Sequence, residues 1–280
     1  MADRRLTPFS GRIAHVSLQG QVEAPLTEGS PARLGLPLVP LLRSPGGALD
    51  RTLLFGDAVT VIDRDAGHAF VLSAKDGYCG WVDEAALAPW TPVTHRVATP
   101  ATHVYAGPKV QAGMRHPLYL TSAVQVLSED GVWAETPGGF VPSSHLLPLD
   151  QPAEDPVAVA EMFLHAPYLW GGNAVSGLDC SGLVQLSLLS AGLACPGDSD
   201  QQQAIGQAIP EGAALQRGDL IFWKGHVALM QDATRIIHAT AYTMRVIAEP
   251  LAPAEARIIA KGEGPVIARR RPTGTPARTP

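Results

Sequence analysis

A chain of 280 residues is long enough for two or three domains, and a net charge of −5 gives no support to a nucleic-acid partner. With 46% hydrophobic and 17% charged residues, the composition is that of an ordinary globular protein and not of a disordered one. No run of about 18 apolar residues occurs, which argues against a membrane-spanning helix.

The opening run, Met1-Ala-Asp-Arg-Arg-Leu-Thr-Pro8, lacks the apolar core of about 7–15 residues that marks a signal peptide, and a cytoplasmic location is expected. There are three cysteines, Cys79, Cys180 and Cys195. A sparse, odd count without Cys-x-x-Cys spacing argues against a disulfide framework and against a zinc site. No metal and no organic cofactor are expected. Cys79 and Cys195 read as small buried hydrophobes, the ordinary fate of a lone cysteine.

Residues 1–150 are rich in turn residues and in short β-branched or aromatic runs. Asp57-Ala-Val-Thr-Val-Ile62, Ala69-Phe-Val-Leu72 and Tyr78-Cys-Gly-Trp-Val82 are strand-like, split by Asp-Arg-Asp-Ala-Gly and Lys-Asp-Gly turns. A second block repeats the scheme with Ala123-Val-Gln-Val-Leu127, Val132-Trp-Ala-Glu135 and Phe140-Val141. The economical reading is two small all-β barrels in tandem, residues 1–90 with an N-terminal extension and residues 91–150. A polar, proline-bearing linker, Leu149-Asp-Gln-Pro-Ala-Glu-Asp-Pro156, follows.

Over residues 151–272 the texture changes to α+β. Apolar spacing predicts a helix over 157–165, stopping before Pro167, and a second over 181–191, ending at Gly192 as its C′ residue. Residues 218–223, 226–230 and 235–239 read as strands. The last stretch, 273–280, is rich in Pro, Gly and Thr and reads as a disordered tail.

Between the two helices, Tyr168-Leu-Trp-Gly-Gly-Asn-Ala-Val-Ser-Gly-Leu-Asp-Cys180-Ser-Gly182 places a cysteine where a glycine-rich loop gives way to an apolar helix. Asp179 is the expected N-cap, which puts Cys180 first in the helix, over the positive end of the macrodipole where a thiolate is favoured. A cysteine nucleophile needs a base, and the base needs an orienting partner. A three-residue hairpin loop centred on Asp232 would pair Met230 with Thr234 and His226 with His238. Directly opposed residues share a face, so the two imidazoles would meet. A one-residue slip would send them to opposite faces, and two structural histidines are the alternative reading. Asp179 can be a cap alone, Tyr168 and Trp170 core aromatics, and His165 a structural residue.

Several pieces match a known family in combination: Pro167-Tyr-Leu-Trp-Gly-Gly172, Gly177-Leu-Asp-Cys-Ser-Gly182, Asp200-Gln-Gln202, Arg217-Gly-Asp-Leu-Ile-Phe222 and His226-Val-Ala228. They resemble the NlpC/P60 cysteine peptidases over about residues 155–272. The resemblance implies a papain-like domain, a nucleophile helix packed on an antiparallel sheet. It implies Cys180 as nucleophile, His226 as general base and then acid, and His238 as the orienting group.

The β blocks resemble bacterial SH3-like domains, through strand pairs followed by Gly80-Trp-Val82 and Gly139-Phe-Val141. Two such domains before the catalytic one resemble the γ-D-glutamyl-L-diamino-acid endopeptidases of dipeptidyl-peptidase VI type. That layout implies cleavage of peptidoglycan stem peptides after an L-Ala-γ-D-Glu unit with a free amino terminus, in murein peptide recycling. Tyr168, Asp179 and Ser181 would line the dipeptide subsite. An acid and a tyrosine from the first SH3-like domain would complete it. Tyr78 is the candidate tyrosine and Asp57 the candidate acid, where a glutamate would be the expected type. The implied partner is a peptidoglycan-derived peptide carrying diaminopimelate or lysine, with no nucleic acid and no membrane. A related amidase or acyltransferase, and a non-catalytic wall-binding protein, stand as alternatives.

Overall fold

The computed structural model describes residues 3–274 and Ala277. The chain divides into two compact units that part between Gln151 and Pro152. The first is all-β. Its seven-stranded sheet runs in the order Leu49–Leu54, Leu38–Leu42, Cys79–Asp83, His68–Ser73, Ala58–Asp65, Ser30–Leu34, Leu87–Pro89. Ala58–Asp65 and His68–Ser73 join through Ala66 and Gly67, both at positive φ (47° and 76°), the two-residue turn whose twist suits a hairpin. Alternation along these strands sends Leu34, Leu41, Leu53, Val71 and Val82 into one core.

Residues 95–148 build a second β body around Val97, Val104, Leu118, Ala134 and Val141, against which Phe55 packs. The two bodies expected as separate domains therefore lie in one compact unit, each with its own core. The strand expected over 123–127 is interrupted. Only Ala123–Val124 and Ser128–Glu129 are extended partners, because the Val126 N–H donates to the Thr94 hydroxyl instead of to a neighbouring strand.

The second unit is α+β. Its six-stranded antiparallel sheet has the order Gln207–Ala208, Ala268–Arg271, Leu220–Trp223, His226–Met230, Arg235–Thr240, Arg245–Pro250. The helix Cys180–Ser190 packs across His226–Met230 and Arg235–Thr240. Ten of its eleven residues are buried, four of them polar, so it is enclosed on all sides, the mark of a core helix. It ends where expected, with Gly192 at φ 75°.

The first helix of this unit is shorter than its apolar spacing predicts, Pro156–Glu161. Its C-terminal continuation is diverted to the sheet edge: the N–H groups of His165 and Tyr168 donate to the Val246 and Met244 carbonyls. Edge pairing satisfies backbone groups that a longer helix would otherwise have used. The tail expected over 273–280 lies largely outside the described residues, apart from 273, 274 and 277.

Candidate active site

The glycine-rich loop positions the helix start through one carboxylate. Asp179 accepts from the Gly182 N–H (2.7 Å) and the Ser181 hydroxyl (2.9 Å) with Oδ1, and from the Gly171 N–H (2.8 Å) with Oδ2. Cys180 is thereby the first residue of its helix. Gly182 admits no side chain, since a Cβ there would lie 2.5 Å from both Asn173 Oδ1 and the Gly172 carbonyl oxygen. From the far side, the buried Gln202 donates through Nε2 to the Ser181 carbonyl (3.0 Å). That bond gives the Asp200-Gln-Gln202 motif a structural purpose.

The histidine strands meet the same helix. The strand His226–Met230 packs on the helix, and the backbone amide of Val227, one residue after His226, favours the Cys180 thiolate. The hairpin register differs from the expected one. Met230 pairs with Ile236 and Leu229 with Ile237, so the loop between them, residues 231–235, centres on Ala233 and the residue opposite His238 is Ala228. Asp232 holds this turn by accepting from the N–H groups of Thr234 and Arg235. Moving the loop centre by a whole residue shifts the pairing by two positions, which preserves parity. The imidazoles still share a face, as diagonal instead of direct neighbours. His226 Nε2 and His238 Nδ1 are 2.8 Å apart.

The relay goes on beyond the two histidines. His238 Nε2 lies 2.9 Å from Glu249 Oε1, and Arg257 donates to both oxygens of Glu249 (2.5 and 2.8 Å). An ionised carboxylate only accepts, so Nε2 of His238 carries the proton. When that is the only proton on its ring, Nδ1 of His238 accepts from Nε2–H of His226, which leaves Nδ1 of His226 as a lone pair. Glu249 and Arg257 thus fix which nitrogen of His226 is basic. An uncharged amide in place of the Glu249 carboxylate would turn its N–H donors toward the Arg257 guanidinium or the His238 ring. Glu249→Gln is therefore expected to lower kcat by about 10- to 100-fold with KM nearly unchanged, the split expected of a positioning residue. A variant with wild-type kcat would detach Glu249 from the relay.

Both reacting groups are desolvated. Burial pushes the Cys180 thiol up to about 12, with the Asp179 carboxylate pushing the same way, while burial draws His226 down to about 3. Sequence reasoning expected the helix dipole to favour a thiolate; here burial opposes it, and the resting pair is neutral thiol and neutral imidazole. The same burial bears on stability. Unfolded, His226 takes a proton below about 6.5; folded, it stays neutral to about 3. Between those values the unfolded chain binds the extra proton, so this contribution is intact above 6.5 and lost as pH falls toward 3. Glu249, held at about 2 in the folded state with His238 and Arg257 as its stabilising partners, adds to the loss at the acid end of that range. Urea midpoints measured from pH 7 to pH 4 should drop less steeply for His226→Gln than for wild type; parallel curves would contradict the assignment.

Tyr168 is half-buried, and burial raises its phenol, with the Asp179 carboxylate pushing the same way. Trp170, 65% exposed, stands on the same loop. Ser181 is buried and spends its hydroxyl on Asp179. Cys79 and Cys195 are buried free thiols, and burial lifts Cys79 to about 12.

Tyr78 and Asp57 lie inside the first β body. Tyr78 is 1% exposed in the core of the first β body, with the Arg51 guanidinium 5.2 Å over its ring. Asp57 is buried too, and its charge is matched by Lys75 Nζ at 2.6 Å while the Leu54 N–H donates to the same oxygen at 3.0 Å. A carboxylate already neutralised inside its own unit has little left to offer an ammonium. Sequence reasoning also missed Glu249 and Arg257. Glu249 lies two residues beyond Ile247, the partner of His238, and so on the same strand face. A hairpin reading of 235–250 would have found it.

Comparison with known proteins agrees with this geometry. The NlpC/P60 family model matches residues 165–255, and that of the bacterial dipeptidyl-peptidase SH3 domain matches residues 41–87. The chain is 31% identical over 225 residues to the gamma-D-glutamyl-L-lysine dipeptidyl-peptidase of Bacillus cereus, covering 68% of this chain and 67% of that one. The protein of that name from Bacillus subtilis is 28% identical over 215 residues, 67% and 71% of the two chains. A solved NlpC/P60 family protein from Bacillus cereus has the same fold, with a TM-score of 0.73 at 23% identity over 86% of this chain and 99% of that one.

Proposed function

The chain belongs to the NlpC/P60 family of cysteine peptidases, and we propose that it hydrolyses the bond between γ-D-Glu and the diamino acid in peptidoglycan-derived peptides that begin with a free L-Ala. The observation that carries this reading is a cysteine at the start of a helix that packs on the strand of His226, from which a relay runs across the next two strands to His238 and Glu249. The names of the two Bacillus relatives point to the bond.

In this mechanism Cys180 Sγ attacks the γ-carbonyl carbon while its proton passes to Nδ1 of His226. The backbone N–H of Cys180, unpaired within the helix, faces the oxyanion. Collapse of the tetrahedral intermediate breaks the C–N bond, and His226 hands its proton to the departing α-amine. A water then gives a proton to His226 and its oxygen to the thioester. The dipeptide acid leaves, and the proton returns to sulfur. Because the resting pair is neutral, the thiol ionises only as attack proceeds.

Asp179 and Tyr168 are the groups placed to receive the free ammonium of alanine. A partly exposed carboxylate meeting an ammonium makes a charge-assisted hydrogen bond that an N-acetyl group cannot. Incubation with L-Ala-γ-D-Glu-L-Lys should release L-Ala-γ-D-Glu and lysine, identified by mass. Release of alanine, or no cleavage, would overturn the reading. Acetylating the terminal alanine should reduce kcat/KM about tenfold or more. Equal rates on both peptides would replace turnover of released peptides with attack on intact wall.

A further inference from the structure

We propose that the cavity beside His226 is the subsite for the leaving residue, and that it selects a residue whose side chain ends in a carboxylate over one ending in an ammonium alone. The proposal rests on the function above and concerns the residue that departs when the scissile bond breaks. The cavity measures about 310 Å³, within the range of small-ligand sites. His226 and Tyr168 border it, and Lys224, Arg257, Lys261 and Tyr242 line it.

Position comes from the chemistry. His226 delivers its proton to the departing nitrogen, so that atom lies against the imidazole at transfer. The remainder of the leaving residue extends into space bordered by the same ring.

Charge supplies the selectivity. Three cations line the cavity against one carboxylate, Glu263. Arg257 is chelated by Glu249, whereas Lys224 and Lys261 are exposed. The Tyr242 ring gathers two of the cations, Arg257 Cζ at 4.4 Å and Lys261 Nζ at 4.3 Å from its centroid. Like charges held together on one ring repel, and an incoming anion relieves that repulsion. Both candidate leaving residues present an α-carboxylate close to the departing nitrogen, so that group does not discriminate. Their far ends differ. Lysine brings an ammonium toward the cationic wall; meso-diaminopimelate brings an ammonium and a carboxylate, and the carboxylate has lysine partners.

Two measurements test this. The first compares kcat/KM for L-Ala-γ-D-Glu-L-Lys and L-Ala-γ-D-Glu-meso-diaminopimelate at low ionic strength. The diaminopimelate peptide should be favoured by about 5- to 10-fold, less at high salt. Lys224→Glu and Lys261→Glu, each confirmed folded by circular dichroism, should each cut that ratio severalfold. A wild-type ratio of one or less, or a ratio that neither reversal moves, overturns the proposal. The second titrates Cys180→Ala with free meso-diaminopimelate and with free lysine, following the amide resonances around the cavity by NMR. Tighter binding of diaminopimelate supports the subsite, and equal or inverted binding overturns it. Should neither tripeptide be cleaved, the function fails, and this titration still decides the subsite.

Discussion

Cys180→Ala should abolish hydrolysis, with kcat lowered on the order of 10⁴- to 10⁶-fold, while the fold stands. Loss of a nucleophile that forms a covalent intermediate removes the whole attack pathway; what remains is whatever the oxyanion donor and substrate binding achieve alone. The structural cost is small. The cap is supplied by Asp179, which also accepts from the Ser181 hydroxyl, not by the cysteine, and alanine is a good helix former at this site. Only the sulfur atom is lost from the packing. Purified variant, checked for an unchanged urea midpoint, would be assayed for dipeptide release by mass. Hydrolysis at the wild-type rate would falsify the nucleophile assignment. Cys180→Ser keeps an oxygen in place of sulfur, yet the neutral resting pair predicts little rescue. A hydroxyl is harder to ionise than a thiol, and this pocket already disfavours the anion.

His226→Gln should cost about 10²- to 10⁴-fold in kcat, the usual contribution of a positioned general acid–base, and His238→Gln should cost less. The two residues act differently. His226 carries the proton from sulfur to the leaving amine, whereas His238, 2.8 Å behind it, fixes its tautomer and steadies the imidazolium formed in flight. Glutamine at 238 can still accept from Nε2–H of His226 through its amide oxygen, so part of the orientation survives. Measured kcat for the two variants on one substrate would order them. A larger loss at 238 than at 226 would exchange their roles.

Much of the second unit was legible in the sequence because its signals are local. Asp179 caps the helix three residues ahead of the N–H it accepts, Gly192 ends that helix, and the strand His226–Met230 follows from its own β-branched and apolar run. Such features depend on dihedral preferences and contacts within a few residues, and these travel with the segment. The shared face of His226 and His238 was also legible, although their register was not. Face depends only on parity, while register depends on where the turn closes, and Asp232 closes it one residue later than its position alone suggested. The first helix was over-extended because its spacing carries no trace of the edge that captures His165 and Tyr168.

Tertiary structure alone decided the charges. Asp57 and Tyr78 looked available in sequence, yet one is paired with Lys75 and the other is packed in a core. Glu249 and Arg257, unremarked in sequence, complete the relay from an outer strand and the helix Leu251–Ala260. Cys180 and His226 were recognisable by type, but their protonation follows from burial. A motif states which groups are present. Desolvation and the nearest opposite charge decide their ionisation, and both are set by segments far apart in the chain.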